Sequence, residues 1–241
     1  MNYFMKNWGI ILEKVKISEF REISKDRYVM ITNDDKYEFE SVLVVKNIEN
    51  MNINQLKKKI YELKRVLRGK GNHEEIIQNK NVICVIYTSD LENENLKSLV
   101  ISLKAIFIKD KFERYNYLYD EACNFLDRMF EKNNYCDFKN DVCVAKRNCR
   151  SNRKKMGCCY RINKKDPFGE FVFCEYLGKK GCNTKCIACK LMTCDYIKVK
   201  LKLENIPYMD CFFNVFQKFI MKISFFTLKE KVLKRVMFLS L

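Results

Sequence analysis

Apolar positions recur along this chain with more than one period. In DRYVMITNDDKYEFESVLVVKN, two runs rich in β-branched and aromatic residues flank the polar Asn33-Asp34-Asp35-Lys36, a pattern that predicts a β-hairpin. The following NINQLKKKIYELKRVLRGKG changes period: Leu56, Ile60, Leu63 and Leu67 share one helical face, and Gly69 stands where a helix stops. KNVICVIYTSD then reads as a short, apolar, buried strand. Hairpin, helix and strand in that order predict a small α/β or α+β N-terminal unit over residues 1–90.

From Asn95 to Lys132 the helical period returns, first through Leu96, Val100, Leu103 and Phe107, then through Tyr115, Leu118, Ala122, Phe125 and Met129. Two helices, or one bent helix, are expected to form a spine over residues 91–135. The aromatic RYNYLYDEACNFLDRMF reads as core rather than as a cofactor-stacking face. Cys84 and Cys123 lie inside these apolar patterns, as buried thiols acting as small hydrophobes. Periodicity disappears over residues 136–194, a loop-rich module. In the closing segment 195–241, MDCFFNVFQKFIMKISFFTLKEKVLKRV reads as two helices separated near Ser224–Thr227. Phe212, Phe216, Phe219 and Ile220 share a face there, expected to dock back on its own domain, so membrane contact is not anticipated. The expected fold class is therefore α+β: a β-hairpin/helix/strand N-terminal unit, a helical spine, a cysteine module and C-terminal helices.

Composition adds two constraints. At 241 residues with 48% hydrophobic content, the chain has material for one large core or two smaller ones and is not a disordered type. The net charge of +16 is unevenly spread. Residues 1–135 hold 23 Lys/Arg against 21 Asp/Glu, whereas residues 136–241 hold 23 against 9, a net of +14. That asymmetry suggests a polyanionic partner such as nucleic acid. The only apolar run near the start, Trp8 to Leu12, is too short for the centre of a signal peptide. A cytoplasmic location follows as an expectation, and a reducing compartment disfavours structural disulfides.

Residues 136–194 contain ten of the thirteen cysteines, spaced Cys136-x6-Cys143-x5-Cys149-x8-Cys158-Cys159-x14-Cys174-x7-Cys182-x3-Cys186-x2-Cys189-x4-Cys194. They sit among Lys, Arg, Asn and Gly rather than in apolar runs, so metal ligation is a better reading than core packing. Thiolates are soft ligands that suit Zn²⁺ or an iron–sulfur cluster. A zinc ribbon uses two Cys-x2-Cys knuckles, and this chain has one, Cys186/Cys189. Three bunched cysteines with a fourth shortly after are instead an iron–sulfur habit. The expected ligands are Cys182, Cys186, Cys189 and Cys194 for one [4Fe–4S] cluster. Cys136, Cys143, Cys158 and Cys174 serve a second site, with Cys159 interchangeable with Cys158. Zinc is the alternative metal. The single histidine, His73, lies far from them in sequence. The basic KRNCRSNRKKMGCCYRINKK holds no acid, and its charge lowers thiol pKa and offsets the negative charge of a four-thiolate site.

Cys182-x3-Cys186-x2-Cys189 is similar to the cluster motif of radical S-adenosylmethionine enzymes, which implies three ligands and one open iron. Ala188 stands where that motif is commonly aromatic, 52 residues follow Cys189, and Cys194 is placed to close the cluster. The N-terminal order also resembles the core of RecB-type nucleases. Lys46 is preceded at the motif's acidic position by Val44, so the metal-holding carboxylate is missing. The function expected is a cytosolic iron–sulfur protein with a redox, sensing or nucleic-acid-binding role. The alternatives are a zinc-stapled basic module without redox chemistry and an enzyme with an open [4Fe–4S] cluster. The sequence identifies no catalytic residue and no redox partner.

Overall fold

Asparagine and aspartate open the helices of the first half. Asn52 Oδ1 accepts the N–H groups of Asn54 and Gln55, each at 3.0 Å, and Gln55 Oε1 accepts the Asn52 N–H at 2.8 Å. This reciprocal pair starts α1 (Ile53–Arg68). Asn93 starts α2 (Glu94–Phe107) by accepting from Asn95 and Leu96, and Asp110 starts α3 (Lys111–Lys132) by accepting from Glu113 at 2.7 Å. Each cap satisfies donors that a first helical turn leaves without partners.

These contacts come from a computed structural model. It describes, with side chains, residues 45, 47–65, 92–133, 135, 174, 176, 178, 182–191, 202–225 and 227–239. For residues 66–68 and the remaining strand residues it describes the backbone alone. The chain divides into two compact units, Met1–Arg114 and Tyr115–Leu241.

In the first unit the strand backbones are β1 (Asn2–Lys6), β2 (Gly9–Val15), β3 (Ile17–Ser24), β4 (Arg27–Thr32), β5 (Lys36–Phe39), β6 (Ser41–Val45) and β7 (Val82–Tyr87). Their pairing orders are β2-β1-β7-β6 and β3-β4-β5, with β6 parallel to β7. The expected turn residues Asn33 to Asp35 lie outside the described residues.

The α+β class with its β-hairpin unit is nonetheless corrected. Of the residues described with their side chains, 73% are helical, 3% are in strands, and they form no sheet. What those residues build is a helical structure. The physical reason is one of period and length. The β-rich runs of the first ninety residues form strand backbones of at most eight residues, whereas α1, α2 and α3 run over 16, 14 and 22. The helices own the long 3.6-residue patterns and the caps.

The first unit's helical core is formed where α1 packs on α2, burying Leu56, Ile60 and Leu63 with Leu99, Leu103 and Ile106. Asn95 adds a polar clamp, its Nδ2 donating to the carbonyls of Ile48 at 3.0 Å and Met51 at 2.8 Å. The helical run after Asn95 is two helices rather than one bent helix. Its break at Ile108–Asp110 is held by Arg114, whose guanidinium donates to the carbonyls of Ile108 and Lys109.

In the second unit α3 buries Tyr115, Leu118, Tyr119, Ala122 and Phe125, so its aromatic run is core. Among the described residues the α-helices that follow are α4 (Ile187–Leu191), α5 (Met209–Phe212), α6 (Val215–Ile223) and α7 (Lys229–Phe238). The Tyr115 and Phe213 rings meet in a tilted pair with centroids 4.8 Å apart. The apolar stripe expected to dock as a whole is split: Phe212 is buried, Ile220 is half-buried, and Phe216 and Phe219 are exposed. Among the described residues, no helix is long and apolar enough to cross a membrane.

Leu103 is fully buried on α2, so Leu103→Ala leaves a cavity in the first unit's core. Its expected cost is about 3 kcal/mol, read as a lower urea midpoint at an unchanged denaturant slope.

Candidate metal centre

Residues four apart on a helix lie on one face, and on α3 that places Tyr119, Cys123 and Asp127 in a row. The loop leading into α4, and α4 itself, meet this side of α3 through Tyr119, Asn124 and Asp127. The Ile187 N–H donates to Tyr119 Oη at 3.2 Å. Lys185 Nζ donates to Asn124 Oδ1 at 2.8 Å. Lys190, whose side chain is only 2% exposed, pairs with Asp127 and donates to the Cys182 carbonyl at 3.2 Å.

These contacts set the positions of two candidate ligands. Cys186 precedes α4 and Cys189 lies within it, and the two share a buried cluster with Ala188. On the other side the Cys186 thiol donates to the Ser224 carbonyl, just past the end of α6, at 3.5 Å. Cys182 is half-buried at the end of the antiparallel pair Leu177–Gly178 and Gly181–Cys182. The Asn183 N–H closes this turn on the Tyr176 carbonyl at 2.8 Å, and the Asn183 side chain lies where a Cβ on Gly178 would stand. A larger residue at 178 would have to displace the exposed Asn183 side chain.

Burial dominates the electrostatics of the site. It pushes the Tyr119 hydroxyl well above the ordinary phenol range, against the lowering effect of the Ile187 N–H. Negative charge on Cys186, Cys123 or Cys189 would push it further. Burial likewise pushes the Cys123 thiol from 9.0 up to about 12, with Lys190 acting in the opposite direction.

Of the cysteines singled out by spacing, Cys174, Cys186 and Cys189 are buried and Cys182 is half-buried. Cys136, Cys158, Cys159 and Cys194 lie outside the described residues, and Cys143 is described by its backbone alone, paired with Phe138. Among the described residues, no group of three or more His, Cys, Asp or Glu side chains is placed to hold a metal ion. The described residues therefore bring together a pair, Cys186 and Cys189, and not a full donor shell. Two thiolates suit zinc or iron–sulfur ligation chemically, and a four-thiolate shell would need two more.

Sequence reasoning missed the α3 side of this arrangement. Cys123 is buried as expected of a small hydrophobe, yet it also faces the cysteine-bearing segment, as Tyr119 and Asp127 do. The available signal was the spacing of 119, 123 and 127 on one helix face. Comparison with protein-family models, curated proteins and solved structures returns no match.

Tyr119→Phe removes the acceptor of the buried Ile187 N–H and is expected to cost about 1–3 kcal/mol in urea unfolding. The raised Cys123 pKa has a definite sign. The neutral thiol is favoured in the fold, so its contribution is complete below pH 9.0 and is lost as pH rises through about 12. Above pH 9 this one group makes stability fall by up to about 1.4 kcal/mol per pH unit, and Cys123→Ala is expected to flatten that decline in urea titrations.

Proposed function

We propose that this chain is an iron–sulfur protein whose basic C-terminal half holds one or two [4Fe–4S] clusters. It works in a reducing compartment, in electron transfer, redox sensing or recognition of a polyanion such as nucleic acid. The first cluster is assigned to Cys182, Cys186, Cys189 and Cys194. A second draws on Cys136, Cys143, Cys174 and either Cys158 or Cys159.

The observation that carries the reading is the Cys186–Cys189 pair, two thiols in one buried cluster on a segment fastened to α3. Burial disfavours a bare thiolate. A soft metal reverses that preference, because a coordinating thiol is deprotonated outright. The surplus of Lys and Arg in residues 136–241 supports the same reading, since each four-thiolate site carries a net charge of about −2. Two such sites remove about four of the +14 units, and the remainder favours a polyanionic partner.

Protein purified without oxygen is expected to be brown, with broad absorption at about 400 nm and acid-labile sulfide. The double variant Cys186→Ser/Cys189→Ser should lose iron and destabilise the second unit, because ligand binding there supplies folding free energy. A colourless protein with stoichiometric zinc would establish the zinc-stapled module instead. Absence of both metals would overturn the reading. For the polyanion, affinity for nucleic acid should fall steeply as salt rises to physiological strength.

A further inference from the structure

Helix α6 is turned against its own sequence pattern. It buries Gln217, Lys218 and Met221, while Val215, Phe216, Phe219 and Ile223 stand outward. Polar contacts hold it in that orientation. Asn214 Oδ1 accepts the Gln217 N–H at 2.8 Å, and Gln217 Oε1 accepts the Asn214 N–H at 2.9 Å. Gln217 Nε2 then donates to the Val236 carbonyl of α7 at 2.9 Å, and Lys218 pairs with Asp210. Asn214 Nδ2 donates to the Leu239 carbonyl at 3.2 Å, which brings the end of α7 to the start of α6. Phe238 is therefore exposed at the same end as Val215 and Phe216, and Leu228 is exposed in the connector. These six large apolar side chains are between 49% and 75% exposed.

Scattered exposed apolar residues are ordinary, but six on one helix pair form a patch that marks an interaction surface. We propose that this face docks on an anionic lipid bilayer, with α6 and α7 lying in the interface plane. Charge selects the occupant. Residues 215–241 carry six Lys/Arg, including the exposed Lys231 and Arg235, against the single acid Glu230. Lys218, Lys222, Lys229 and Lys234 are bridged to Asp210, Glu204, Asp120 and Glu230, which leaves Lys231 and Arg235 as the exposed cations of α7 within a half of net charge +14. A second copy would bring like charge to like charge. A phosphate backbone offers nothing to Val215, Ile223 or Leu228, which have no hydrogen-bonding groups. An anionic bilayer supplies both terms, apolar depth for the Phe and aliphatic side chains and negative headgroups for the Lys and Arg around them. Helices of this length lie on a membrane without crossing it.

Vesicle flotation with the full 241-residue chain tests the assignment. Vesicles of phosphatidylcholine alone are compared with vesicles containing about 30% phosphatidylserine, at about 0.1 M salt. The chain should float with the anionic vesicles and stay down with the neutral ones. Phe216→Ser/Phe219→Ser and, independently, Val215→Ser/Leu228→Ser should each lower partitioning by about tenfold or more. Both variants should keep the parent's thermal midpoint and metal content, since these side chains are exposed. Equal flotation with both vesicle types, or undiminished flotation of both variants, would overturn the proposal. So would a parent chain that dimerises through this face, or binds an oligonucleotide through it, without floating. Loss of metal with retained flotation would count against the cluster reading alone.

Discussion

A phenol, a carboxamide and a carboxylate on one side of α3 decide where the cysteine-bearing segment sits. Helix α4 has only five residues, far below the length at which an isolated helix persists in water. Its position has to come from outside, and Tyr119, Asn124 and Asp127 provide it through Ile187, Lys185 and Lys190. Cys186 and Cys189 inherit their placement from this fastening, with Ser224 behind Cys186. The half-buried Cys182 is tied in through its carbonyl, which accepts from Lys190. Chemistry at the sulfurs thus depends on a helix that lies more than fifty residues earlier in the chain.

The same economy recurs at α6. Burying Gln217 and Lys218 demands partners for both, since an unpaired buried polar group is costly. Val236, Asp210 and Asn214 supply them. Such contacts contribute less to net stability than an apolar contact of similar size often would. What they contribute here is direction, because a slipped or rotated helix would lose all of them at once. Polar side chains in this unit therefore serve as pins, and the apolar core serves as filler around them.

The legible parts of the chain were those governed by a local period. Leu56, Ile60 and Leu63, and then Tyr115, Leu118, Ala122 and Phe125, announced their buried faces by spacing alone. The break between α6 and α7 was visible near Ser224. The fold class was not legible, because the short β-branched runs of the first ninety residues carry local periods as clear as those of the helices. The outward facing of Phe216 and Phe219 was hidden because hydrophobic periodicity assumes that the apolar side turns inward. Here a capping box and a part-buried ion pair decide otherwise. The role of α3 was also out of reach, since Tyr119 and Ile187 are 68 positions apart and no local rule joins them. For the cysteines, spacing proposed the groups, and the described residues bring together Cys186 and Cys189.

The clamp made by Asn95 has a consequence for how the protein ages. Its amide nitrogen donates to two backbone oxygens, and no other standard side chain of that size offers two donors from one atom. Spontaneous hydrolysis of the amide to a carboxylate would leave an anionic oxygen facing the carbonyls of Ile48 and Met51. Two attractions would become two repulsions, and the start of α2 would part from the Ile48–Asn50 turn with no change in the encoded sequence.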